Sequence, residues 1–115
     1  MGDLLMLDGR TGDAPRYYAE ALELDPDDAL ANRGLAIALH RQGRFDEAIA
    51  HYEAAIRSDS TDAEANANLG AALAARGRLA DASVRLERAL TLRPGFVEAE
   101  RNLEKVRSQL EAARK

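Results

Sequence analysis

The chain has 115 residues, long enough for one domain and too short for two well-developed ones. Its apolar content is 46%, drawn mostly from Ala and Leu, with 4% aromatics and no Cys, so a core must close by packing small side chains without disulfides or thiolate metal ligands. A formal charge of −4 argues against a duplex-DNA or RNA surface, and no run reaches the roughly 18 apolar residues of a membrane span or the layout of a signal peptide.

The chain is therefore expected to be soluble and cytoplasmic. Met1-Gly2 does not open a myristoylation motif, because position 6 is Met where Ser or Thr is required. Charge is unevenly placed: residues 1–62 hold 13 acids against 6 bases, and residues 63–115 hold 7 against 10.

The leading stretch, 1–28, carries an apolar edge at Leu4, Leu5, Met6 and Leu7 and a turn at Gly9-Arg10. Asp13-Ala14-Pro15 predicts a helix that starts late, with Asp13 as cap and Pro15 in the first turn, where amides have no helical partner. Asp25, Asp27 and Asp28 lack the spacing of a calcium loop and read as helix capping, since negative charge is favourable at a helix N-terminus. Residues 29–42 repeat apolar positions with helical period, and Gly43 supplies the left-handed conformation that closes a helix. Phe45, Ala48, Ile49, Tyr52, Ala55 and Ile56 then mark a second amphipathic helix ending near Ser58. Two helices joined by about three residues must lie antiparallel.

Thr61 followed by Glu64 predicts a capping box at the next helix start. Leu69, Gly70 and Leu73 belong to that helix. After Gly77, Leu79, Ala82, Leu86, Ala89 and Leu90 form another. Residues 97–113 read as a last helix in which Leu103 keeps the apolar pattern while Glu104 and Arg107 make the outer face polar, as a terminal cap requires.

Sliding the chain against itself by 34 residues superimposes these elements. Gly43-Arg44 falls on Gly77-Arg78, Ala48 on Ala82, Ala55 on Ala89 and Ile56 on Leu90. Small residues recur where paired helices cross: Ala36 with Ala48, and Gly70 with Ala82.

The order Leu35-Ala36, Leu39, Gly43, Phe45, Ala48, Tyr52, Ala55, and its counterpart Leu69-Gly70, Leu73, Gly77, Leu79, Ala82, Leu86, Ala89, Pro94, resembles the tetratricopeptide repeat. The resemblance implies an all-α superhelix, a solenoid of antiparallel helix pairs. It divides into a partial repeat at 1–28, full repeats at 29–62 and 63–96, and a C-terminal capping helix at 97–115. It also implies a non-catalytic scaffold that binds an extended peptide or partner protein along the first helix of each repeat.

On this chain the resemblance points to Arg33, Ile37, His40, Arg41, Asn68, Ala71, Arg101, Asn102 and Lys105 as peptide-binding residues, with Leu30, Glu64, Ala67, Ala75 and Glu98 on the same faces. Asn68 and Asn102 stand 34 apart, where some family members use asparagines to hold a peptide backbone. A carboxamide has both a donor and an acceptor for that purpose. A clamp for a peptide C-terminal carboxylate is matched by Arg33 and Asn68 but opposed by Ile37, Glu98 and Asn102. No catalytic motif, cofactor loop or metal-ligand spacing appears, and no cofactor, metal, nucleic acid or membrane partner is expected. The alternative is self-assembly or targeting through the apolar edge at Leu4 to Leu7, giving a homo-oligomer.

Overall fold

The structure is a computed structural model and describes residues 13–114. The expected apolar edge at Leu4 to Leu7 and the turn at Gly9-Arg10 lie outside the described residues. The fold is all-α, with no strand among the described residues: α1 (Asp13–Leu24), α2 (Ala29–Arg41), α3 (Phe45–Ser58), α4 (Ala63–Ala75), α5 (Leu79–Leu92) and α6 (Val97–Arg114). The starts of α2, α4 and α6 are 34 residues apart, as are those of α3 and α5. Contacts divide the chain into two compact units, residues 1–59 and 60–115.

In the first unit α1 begins at Asp13, so Pro15 stands in the first turn, as expected from its missing amide hydrogen. Asp28 caps α2, its Oδ1 accepting from the Ala31 amide at 3.1 Å, and Asp25 Oδ1 accepts from the Asp27 amide at 3.1 Å. Much of the acidic cluster is thereby engaged in turn and cap bonds. α2 closes with the Gly43 amide donating to His40 O at 3.0 Å and the Arg44 amide to Leu39 O at 2.9 Å. That pair of bonds is the Schellman arrangement, and it needs the φ of 78° that Gly43 adopts.

Ala36 and Ala48 are fully buried, consistent with the close helix crossing expected of small residues; around them Leu35, Leu39, Ile49, Tyr52 and Ala55 complete the core. α1 packs on α2 through the Tyr18 ring over Gly34. A Cβ built at 34 would stand 2.5 Å from Tyr18 Cε1.

The interior of this hairpin is not wholly apolar. Asn32 is buried, and its Nδ2 donates to Pro26 O at 3.1 Å and to Asp28 O at 3.2 Å, tying the entry loop to the helix. That leaves Oδ1 as acceptor for His51 on α3, whose Nδ1–H lies 3.0 Å away.

The second unit repeats the plan with one shift from expectation. The α4 cap is Asp62, not Thr61: Asp62 Oδ1 accepts from the Ala65 amide at 3.0 Å. Asp62 stands 34 after Asp28, and a carboxylate is as good a cap as a hydroxyl while also favouring the positive end of the helix dipole. Gly77 and Arg78 reproduce the Schellman closure, donating to Ala74 O and Leu73 O at 2.9 Å each. Gly70 faces α5, where a Cβ would meet Leu86 Cγ at 2.7 Å and the Ala82 carbonyl oxygen at 3.2 Å. A turn at Pro94-Gly95, with Arg93 stacked 4.7 Å over the Phe96 ring, leads into α6, which buries Ala99, Leu103 and Val106. α6 packs on both α5 and α4.

Burial lowers the pKa of His40 and of His51, the latter opposed in part by Glu47. Both imidazoles favour the neutral form in the folded chain. Their contribution to stability is complete above the unfolded value near 6.5 and is lost as pH falls through the depressed folded values. Melting at about pH 5.5 is therefore expected below melting at about pH 7.5. The difference should shrink in His40→Gln/His51→Gln, and an unchanged difference would place its origin elsewhere.

Candidate functional site

α6 forms because 18 consecutive residues contain no Gly or Pro and repeat a narrow apolar stripe at Ala99, Leu103 and Val106. Burying that stripe leaves two flanks. One, with Asn102, Lys105 and Gln109, borders α4; the other, with Glu100, Glu104, Arg107 and Glu111, borders α5.

Between α4 and α6 lies a cleft of about 250 Å³ lined by Ala71, Ala74 and Ala75 on one side and Asn102, Lys105, Val106 and Gln109 on the other. Three alanines make a shallow wall that leaves room for a visiting side chain. Opposite them, two carboxamides offer donors and acceptors to an extended backbone, and the Lys105 ammonium offers a point charge to a carboxylate. The volume falls below the roughly 300–1,000 Å³ of small-molecule pockets. It suits one or two side chains of a longer ligand.

The structure brings Ala71, Asn102 and Lys105 together at this cleft. Asn68 is half-buried one turn before Ala71 and does not line it, while Arg101 and Glu98 are exposed on α6. Ala67, expected on the same face, is buried at 2% exposure and has no surface to offer. Glu64 is exposed near the start of α4.

In the first unit, Arg33, Ile37 and Arg41 recur at four-residue spacing along one side of α2, the first two half-buried and the third exposed; Leu30 is exposed. His40 is drawn toward α3. Its ring meets Phe45 edge-on at 5.3 Å and Tyr52 at 6.2 Å, with Nδ1 3.4 Å from Tyr52 Oη.

Sequence reasoning missed Ala74, Val106 and Gln109 in the cleft, although Asn102, Val106 and Gln109 have the i, i+4, i+7 spacing of one helix side. Among the described residues no group of three or more His, Cys, Asp or Glu could hold a metal, and no helix is long and apolar enough to cross a membrane.

Two family models described as tetratricopeptide repeat match the chain, over residues 1–63 and 39–100. Solved structures are similar throughout. The first TPR of Spaghetti (RPAP3) bound to the HSP90 peptide SRMEEVD is 26% identical with a TM-score of 0.91, over 96% of this chain and 87% of that one. The second TPR domain of human RPAP3 in complex with the HSP70 peptide SGPTIEEVD is 27% identical with a TM-score of 0.86, over 92% and 88%. The TPR2B domain of yeast Sti1 in its pHsp70 complex is 25% identical with a TM-score of 0.86, over 94% and 91%. No curated protein matches the chain by sequence.

Proposed function

The chain belongs to the tetratricopeptide repeat family, and from that premise we propose that it is a non-catalytic interaction scaffold whose α4–α6 face holds an extended peptide segment of a partner protein. The observation that carries this reading is the cleft itself, where small apolar, carboxamide and ammonium groups converge. Similar domains of RPAP3 and Sti1 are found with chaperone peptides, which supports a peptide as the ligand class.

The favoured peptide differs from theirs. Ile37, Glu98 and Asn102 do not provide the bases of a terminal-carboxylate clamp, and an exposed Glu98 repels a chain terminus. An internal segment suits the face better, with an apolar side chain against the alanines, its backbone on Asn102 and Gln109, and an acidic side chain near Lys105. Asn68 and Arg101 flank this contact, and Arg33, Ile37, His40 and Arg41 form the corresponding set on α2.

The test is capture from native extract by the full chain, comparing wild type with Asn102→Ala/Lys105→Glu and with Asn68→Ala/Asn102→Ala. All three should have the same circular dichroism spectrum. Loss of the same partner from both variants is expected. Undiminished capture by both would overturn the assignment to this face.

A further inference from the structure

We propose that the cleft between α5 and α6 is a second docking surface, built to seat a basic amphipathic helix of a partner protein. The cleft is about 570 Å³ and open on one side, with Leu90 and Leu103 among its apolar lining. Glu100, Glu104 and Glu111 stand along its α6 wall, at i, i+4 and i+11.

The repeat register says what shape this surface fits. Subtracting 34 carries Glu100, Leu103, Glu104 and Arg107 onto Asn66, Leu69, Gly70 and Leu73. In α4 that side receives a helix, since Gly70 lies against Leu86 and the Ala82 carbonyl of α5. α6 thus presents to the cleft the side on which the preceding hairpin carries its second helix. Among the described residues no helix occupies it.

The substitutions say what chemistry the visitor needs. Glu104 in place of Gly70 keeps an incoming backbone at a distance, and Arg107 in place of Leu73 removes an apolar anchor. Arg107 does not cancel the local charge, because its guanidinium is paired with Glu87 Oε2 on α5 at 3.1 Å. No described base pairs with Glu100, Glu104 or Glu111. The bases Arg101 and Lys105 lie round the helix toward the other flank, so the charges of α6 are sorted by side rather than interspersed.

Eleven residues of helix span about 16 Å, three turns, which is the length over which a docked helix presents anchors at i, i+3, i+4 and i+7. A partner helix with Leu-type side chains toward Leu90 and Leu103 and Lys or Arg along its edge matches both floor and wall. The matching charge orients the partner and speeds its encounter.

The probe is a fluorescein-labelled 14-residue helix of Leu and Lys with 3.6-residue amphipathic spacing, titrated into the full chain at two salt concentrations. A permuted peptide of the same composition serves as control. Glu100→Gln/Glu104→Gln is compared with Glu20→Gln/Glu23→Gln on α1, which removes the same charge far from the cleft. The expected results are about fivefold weaker binding for the cleft variant, little change for the α1 variant, weak binding of the permuted peptide, and amide shifts centred on Leu90 and Leu103.

Equal weakening by the two variants would reduce the effect to net charge and overturn the proposal. So would shifts centred on Ala71 and Asn102, an absence of binding, or salt-sensitive self-association of the free chain abolished in the cleft variant, which makes a second copy the occupant. Asn102→Ala/Lys105→Glu should bind the probe normally, so failure of the peptide-binding reading and failure of this one are told apart.

Discussion

Leucine at position 70 is expected to destabilise the second unit by about 3 kcal/mol, seen as a fall of about 10 °C in melting temperature. Helix propensity alone has the opposite sign, because a mid-helix glycine costs about 0.5–1 kcal/mol relative to alanine. Space decides against propensity here. A Cβ at 70 would stand 2.7 Å from Leu86 Cγ and 3.2 Å from a backbone carbonyl oxygen. Leu86 is fully buried, and its Cγ is a branch point that cannot move without shifting the whole side chain. The first unit solves the same crossing differently: 34 residues earlier stand Ala36 and Tyr52 in place of Gly70 and Leu86, and a flat ring leaves room for the methyl that a branched carbon excludes. Gly70→Ala should therefore lose stability as well, by less. If alanine raises the melting temperature, the two helices can part more easily than this packing allows.

Asn32→Ala is expected to cost about 2–3 kcal/mol, measured by denaturant unfolding. The carboxamide is buried and links four segments of backbone and side chain: Pro26 O, Asp28 O, its own helix and His51. The second unit has an incomplete copy. Asn66 Nδ2 donates to Asp62 O at 3.0 Å, but Asn66 Oδ1 is buried without a donor, and Arg85 stands where His51 does in the first unit. Arg85→His should complete the stitch and stabilise by about 1 kcal/mol. An unchanged midpoint for Arg85→His, alongside a large loss for Asn32→Ala, would mean that solvent already serves Asn66.

The architecture was legible because its determinants are periodic and local. Gly43 and Gly77 announced their turns, Ala36, Ala48, Gly70 and Ala82 announced close crossings, and the start of each helix followed from the 34-residue step. The cap at Asp62 was misread by one residue because Thr61 and Asp62 are both competent caps, and only the path of the first turn chooses between them. Asn32 and His51 escaped notice for another reason. Polar residues on amphipathic helices are ordinarily solvated, and the Asn32–Asn66 recurrence was the one visible hint that these are interior. At the cleft, register alone brings Ala71, Asn102 and Lys105 to one place, whereas Val106 and Gln109 enter through the way α6 lies across α4, which no single-helix pattern encodes. His40 turned toward Phe45 and Tyr52 because aromatic edges in the neighbouring helix compete with solvent for an imidazole.

The hairpin bends at Gly43 and Gly77 demand handedness rather than smallness. Each has a φ of 78°, yet a Cβ built at either meets no atom within 4 Å. A mirror-image alanine, introduced by chemical synthesis, has that backbone angle as its natural preference and open solvent for its methyl. These two bends are thus places where a label or cross-linker of inverted chirality can be attached while both helix pairs keep their packing.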